Sequence, residues 1–207
     1  MTMGILDQFH ALCNYILSFY YVDKGSTHVS FKQASVAWKS LFPFTDNLLK
    51  KLEQQQYFHL YGLCSRLVAL VRYYIYNRMT SSTHKLISNH LSQTQGQVPR
   101  LCLDVSENLL QEYVKAERWY RISERNFTYQ TMITEFPQAF QDVCVQGNVS
   151  AGISIGGEAG VSIEPMFPFT PYSSLHHAAI VSKCMLNEFV KQKKLDYQPI
   201  FKPEEFM

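Results

Sequence analysis

Apolar residues recur every three or four positions through most of this chain. Ile5, Phe9, Leu12, Ile16 and Tyr20 form one stripe, which predicts a helix over Ile5–Tyr21. Asp23–Thr27 reads as a turn. Phe31, Ala34, Trp38 and Leu41 then mark a second helix over Ser30–Phe42. Pro43 should stop or kink it, because proline lacks the N–H donor and clashes with the preceding turn. Thr45 is a candidate N-cap for a pattern that meets no proline before Met79. That is long for a globular helix, so the reading is either one long helix or a break near Gln54–Tyr57. Ser81–Gln93 follows as a short, more polar helix.

Ser92–Arg100 is polar, contains Gly96 and Pro99, and is the best linker in the chain. Helical spacing resumes over Asp104–Arg125, continues over Tyr129–Phe136 as far as Pro137, and extends weakly over Gln138–Val145. A last helix, Leu175–Lys191, starts behind Ser173 or Ser174 as cap. The tail from Gln192 is charged and expected to lie on the surface or fray.

One segment breaks the pattern. Asn148–Pro165 holds Ile153 and Ile155 two apart, then Gly156–Gly160, then Val161 and Ile163 two apart. Period-two spacing around a glycine-rich turn predicts a β-hairpin. Pro165, Pro168 and Pro171 then favour an extended strip to Tyr172. The fold class is therefore mainly α: an antiparallel helical bundle of about six to eight helices, with one glycine-turned hairpin near Asn148–Glu164. Two regions are expected, a helical bundle over 1–95 and a helical region with the hairpin over 101–207, which could also pack as one domain.

Composition narrows the class. With 46% hydrophobic and 14% aromatic residues the chain can bury a real core, which separates it from disordered chains. A net charge of +2 gives no basic footprint for nucleic acid, unless the 19 basic residues gather on one face. The most apolar run, Leu60–Tyr76, contains Arg66 and Arg72, so it reads as a core helix and not a membrane span. Cys13, Cys64, Cys102, Cys144 and Cys184 are odd in number and scattered. With no basic n-region at the start, they are expected to be reduced thiols of an intracellular protein, cytoplasmic or nuclear.

The chemistry-bearing motifs are few. Gly152 and Gly157 have the first spacing of a phosphate loop, but Glu158–Ala159 stands where lysine and serine are needed, and a carboxylate there would repel phosphate. The pairs His10/Cys13 and His177/Cys184 each fit one helix face, yet zinc needs three or four ligands. No Gly-x-Ser-x-Gly elbow occurs. Cys144 is the least implausible nucleophile, and a buried structural thiol explains it better. No cofactor, metal or catalytic residue is expected.

The densest charge cluster lies between Lys115 and Arg125 and is interrupted by Trp119 and Tyr120. Arginine with tryptophan dominates protein-binding hot spots, so Arg118, Trp119, Arg121 and Arg125 are candidate partner-binding residues. Phe167, Phe169 and Tyr172, on the proline-rich strip, are a second candidate edge. A self-paired solvated face and a strap across the core are the plainer readings of the two. The expected function is a non-catalytic protein–protein interaction or assembly subunit of an intracellular complex, without a membrane span. The alternative is a helical enzyme or small-molecule-binding protein with a pocket between helices.

Overall fold

In the computed structural model of the chain, residues 2–25, 31–93, 100–145 and 169–197 are described. Ile5, Leu6, Phe9, Leu12, Cys13 and Ile16 bury one face of α1 (Thr2–Gly25), following the stripe in the sequence. α2 (Phe31–Gln54) buries Trp38, Leu41, Leu48, Leu49 and Leu52. It runs through Pro43, so of the stop or kink expected there the stop does not occur. Pro43 and Lys39 are both exposed, so water can satisfy the carbonyl that proline leaves without a donor. Thr45 is no N-cap either. Its hydroxyl donates to the Phe42 carbonyl (2.9 Å) inside the continuous helix.

The break falls at Gln54–Tyr57. Gln56 sits in the left-handed region at φ 58°, its N–H donating to Glu53 O (2.9 Å) while that of Tyr57 reaches Leu52 O (3.0 Å). This is a Schellman ending with glutamine in the place that glycine usually takes. Replacing Gln56 with glycine is expected to raise stability by about 0.5–1 kcal/mol, the left-handed penalty less the entropy glycine adds to the unfolded chain. Urea unfolding reads this directly. A loss would mean that the Gln56 side chain holds the turn.

α3 (Phe58–Gln93) is the centre of the fold. From Leu60 to Val71 only Tyr61 is not fully buried. The separate short helix expected at Ser81–Gln93 is instead its continuation. No proline or glycine interrupts that stretch, and the Thr80, Ser81 and Ser82 hydroxyls donate back to the carbonyls of Tyr76, Asn77 and Arg78. α4 spans Arg100–Glu124. α5 (Tyr129–Glu135) is capped by Thr128, which accepts from the Thr131 N–H. α6 (Pro137–Ala139) runs into a π-helical turn, Phe140–Val145. Glu188 of α7 (Leu175–Gln192) accepts from the Gln138 and Ala139 N–H groups (3.1 and 2.9 Å), satisfying donors that a helix start leaves open.

Neighbouring helices run antiparallel, as their contacts show. Along α1 and α2, Gln8 meets Lys51, Tyr15 meets Phe44 and Phe19 meets Trp38. Along α3 and α4, Arg66 meets Ser123 and Arg72 meets Glu112. Along α1 and α7, Asn14 meets Lys183 and Tyr20 meets His176. One core joins side chains of α1, α2, α3, α5 and α7 with Phe169 and Tyr197. The protein is mainly helical, with no strand among the described residues. The hairpin expected at Asn148–Glu164 lies outside them, as do residues 94–99 of the linker.

Candidate functional site

α4 has two unlike faces. Its inner face is small and polar: Ala116 packs with Ala69 and Tyr73, Glu112 takes the Arg72 guanidinium (2.6 Å), and Ser123 takes Arg66. Arg72 also lies over the Phe42 ring at 3.7 Å. One short charge-assisted hydrogen bond and the cation–π contact hold this largely buried ion pair. Burial and the bond to Glu117 raise the Tyr73 phenol above its ordinary range.

The outer face carries Leu103, Leu110 and Val114, which remain 61%, 62% and 56% exposed. They are seven and four residues apart. At about 100° per residue they fall within about 40° of one another. Arg121, 80% exposed at its side chain, continues the same line, and exposed Arg118 flanks it. Arg121 lies 3.9 Å from Glu117, a contact of little energetic weight at the surface. Exposed Arg125 follows just beyond the helix end.

Trp119 does not share that face. It is half-buried against both cores, beside Ala69, Tyr73 and Ala116. The strip is divided in the same way. Phe169 is 1% exposed, edge-on to Phe127 at 5.3 Å, with φ 80°, so it is a core residue and not a presented edge. Tyr172 is 90% exposed. Phe167 lies outside the described residues. The structure therefore sets Arg118 and Arg121 beside an apolar stripe that the sequence alone does not single out, with Arg125 exposed beyond the helix end. It leaves Trp119 and Phe169 in the interior.

A cleft of about 400 Å³ opens where α3, the end of α4, α5 and the Phe169 segment meet. Arg66 forms its back wall, only 7% exposed. Its Nε donates to Ser123 Oγ (2.6 Å), one terminal nitrogen to Phe169 O (2.9 Å) and the other to Phe127 O (3.3 Å). The guanidinium lies 3.9 Å over the Tyr120 ring. No carboxylate pairs with it among the described residues. Burial lowers its pKa, opposed by Tyr120 and Glu124. Sequence reasoning sees Arg66 only as an argument against a membrane span.

A second polar cluster lies between α1 and α7. Lys183, 6% exposed, donates to Asn14 Oδ1 (3.0 Å), and Asn14 Nδ2 lies 3.3 Å from His10 Nδ1. Burial, helped by Lys183, lowers His10 to about 4, and burial raises Cys13 to about 12. Cys144, raised by burial to about 12, is a thiol and not an activated nucleophile at neutral pH. Cys13, Cys64, Cys144 and Cys184 are free. Among the described residues no three His, Cys, Asp or Glu side chains gather as metal ligands, and no helix is long and apolar enough to cross a membrane.

The chain matches no protein-family model, and neither a curated protein nor a solved structure shows significant similarity to it.

Proposed function

We propose that this protein is a non-catalytic interaction or assembly subunit, docking a helical partner along the outer face of α4. The observation that carries this reading is the exposed stripe of Leu103, Leu110 and Val114, continued by Arg121 and flanked by Arg118. Three large apolar side chains on one line of a helix would lose exposed area under a partner, and arginines at the edge suit an interface rim. Tyr172 is an exposed aromatic of the kind interfaces favour. Contacts of α1 with α7 and of α3 with α4 favour the regions 1–95 and 101–207 acting as one unit. Free thiols fit an intracellular setting.

The Arg66 cleft favours a second reading, binding of a small molecule between helices. Its volume is suitable. It ranks behind because each guanidinium nitrogen already donates to a protein oxygen, which makes Arg66 a clamp first.

Reversing Arg118 and Arg121 to glutamate is the test. Both are exposed, so the double variant should fold with a change within about 0.5 kcal/mol. It should lose most of its affinity for the partner that co-purifies with the wild-type protein. A folded double variant that retains that partner would show this face to be merely solvated.

A further inference from the structure

The Arg66 cleft holds a charge that no described residue neutralises by pairing. A guanidinium carries five N–H donors. Three of them go to the Ser123 hydroxyl and to the Phe169 and Phe127 carbonyls, all neutral acceptors. Beyond these bonds one N–H is left on each terminal nitrogen. No carboxylate of the described residues pairs with the group, although it is only 7% exposed. The Tyr120 ring, 3.9 Å away, and the two carbonyls ease the burial of the cation without cancelling its charge. An anion entering the cleft from solvent would cancel it.

The other walls decide which anion. Phe127, Met132 and Phe169 are apolar, and Tyr129, 47% exposed, adds a wetter aromatic ring. Glu124, exposed, is the second charged residue of the lining. One buried cation neutralises one negative charge. The second charge of a phosphate would stay unpaired beside apolar walls, where burial is costly. We infer that the cleft binds a small monocarboxylate with an aromatic body, its carboxylate on Arg66 and its ring on the apolar walls. This rests on the pocket reading placed second above and names its ligand class. The carboxylate would take charge-assisted hydrogen bonds from the spare N–H groups, and the ring would displace water from the walls. A volume of about 400 Å³ leaves room for a one-ring acid. Glu124 opposes the ligand, with the modest weight of a solvated surface charge.

NMR titration of the full-length chain with phenylacetate, and with phenylacetamide as its uncharged counterpart, reads this through the Met132 methyl group. Phenylacetate should shift that methyl saturably, with a Kd on the order of 1 mM for a ligand of about ten heavy atoms. The amide should bind at least about ten-fold more weakly, lacking the charge-assisted contact. Glu124→Gln, an exposed change that should leave the fold intact, should tighten phenylacetate about two- to five-fold and leave the amide unchanged. Arg66→Met should abolish the difference between the two probes. That variant is also expected to lose stability, so Glu124→Gln decides in a folded protein. Equal affinity for acid and amide would overturn the anion inference and leave a neutral pocket. A Met132 methyl unmoved by either probe up to about 10 mM would overturn the pocket reading with it. Phenylacetate binding indifferent to Glu124→Gln would place the anion elsewhere and overturn the inference. Docking on α4 is read separately by the Arg118/Arg121 double variant.

Discussion

Replacing Arg66 with methionine is expected to lower the stability of the fold by about 3–4 kcal/mol, a large share of the roughly 5–15 kcal/mol available to a domain. Methionine keeps much of the volume and removes the charge. The loss comes from what the guanidinium leaves behind: Ser123 Oγ and the Phe127 and Phe169 carbonyls. An unsatisfied buried acceptor costs about 1–3 kcal/mol. Ser123 recovers part of this, since its hydroxyl already donates to Tyr120 O, and water in the cleft can reach part of the rest. Lysine at this position should rescue at most one of the three contacts, because a single ammonium cannot span the fork. Urea denaturation followed by circular dichroism measures both variants. A loss under about 1 kcal/mol for methionine would show a wet cleft and an Arg66 that is not the clamp described here.

Gly62→Ala carries the next largest effect, and two contributions of opposite sign decide it. Alanine in a helix interior gains about 1 kcal/mol over glycine. Its Cβ, however, would stand 2.8 Å from Phe127 Cβ and 2.9 Å from the Asn126 carbonyl carbon. Neither atom is the free end of a flexible side chain. The α4–α5 connection must move bodily, and it carries the Phe127 carbonyl that Arg66 holds. Overpacking of that kind costs about 1–3 kcal/mol or more. The steric cost should prevail, leaving a net loss of about 1–2 kcal/mol, with a greater loss for Gly62→Val. A stabilised Gly62→Ala variant would mean that the connection yields easily and that Arg66 does not pin it.

Much of the helical layout is legible in the sequence, because periodic spacing and burial coincide where a helix has one wet face. In α1 the buried residues are those of the stripe from Ile5 to Ile16 and their neighbours. The end of α2 is legible only as one of two alternatives, since glutamine and not glycine takes the left-handed position. Pro43 leaves two outcomes open, a stop or a kink, and the stop does not occur because the orphaned carbonyl can face water. The polar composition of Ser81–Gln93 misleads, because hydroxyls bonded to their own helix do not end it.

Function is less legible, for a physical reason. Leu103, Leu110 and Val114 have the spacing of a core stripe, and spacing says nothing of which side faces inward. Burial of Glu112 and Ser123, both polar, settles the orientation of α4. They are inside because Arg72 and Arg66 of α3 meet them there, pairings across 40 and 57 residues that no local pattern encodes. Arg66 itself bonds mainly to remote backbone carbonyls, which leave no trace in residue identity. Trp119 can be separated from the arginines on a helical wheel, but its burial against Ala69 and Tyr73 needed the fold.

Hydroxyl-radical footprinting of the full-length protein, as isolated with its native partners and again purified away from them, tests the role of α4 most directly. Modification of Leu103, Leu110 and Val114 should fall in the assembled state, while Tyr21, Val22 and Val36, exposed on α1 and α2, keep theirs. Unchanged modification of the α4 stripe, with protection appearing elsewhere on the surface, would contradict α4 as the docking face.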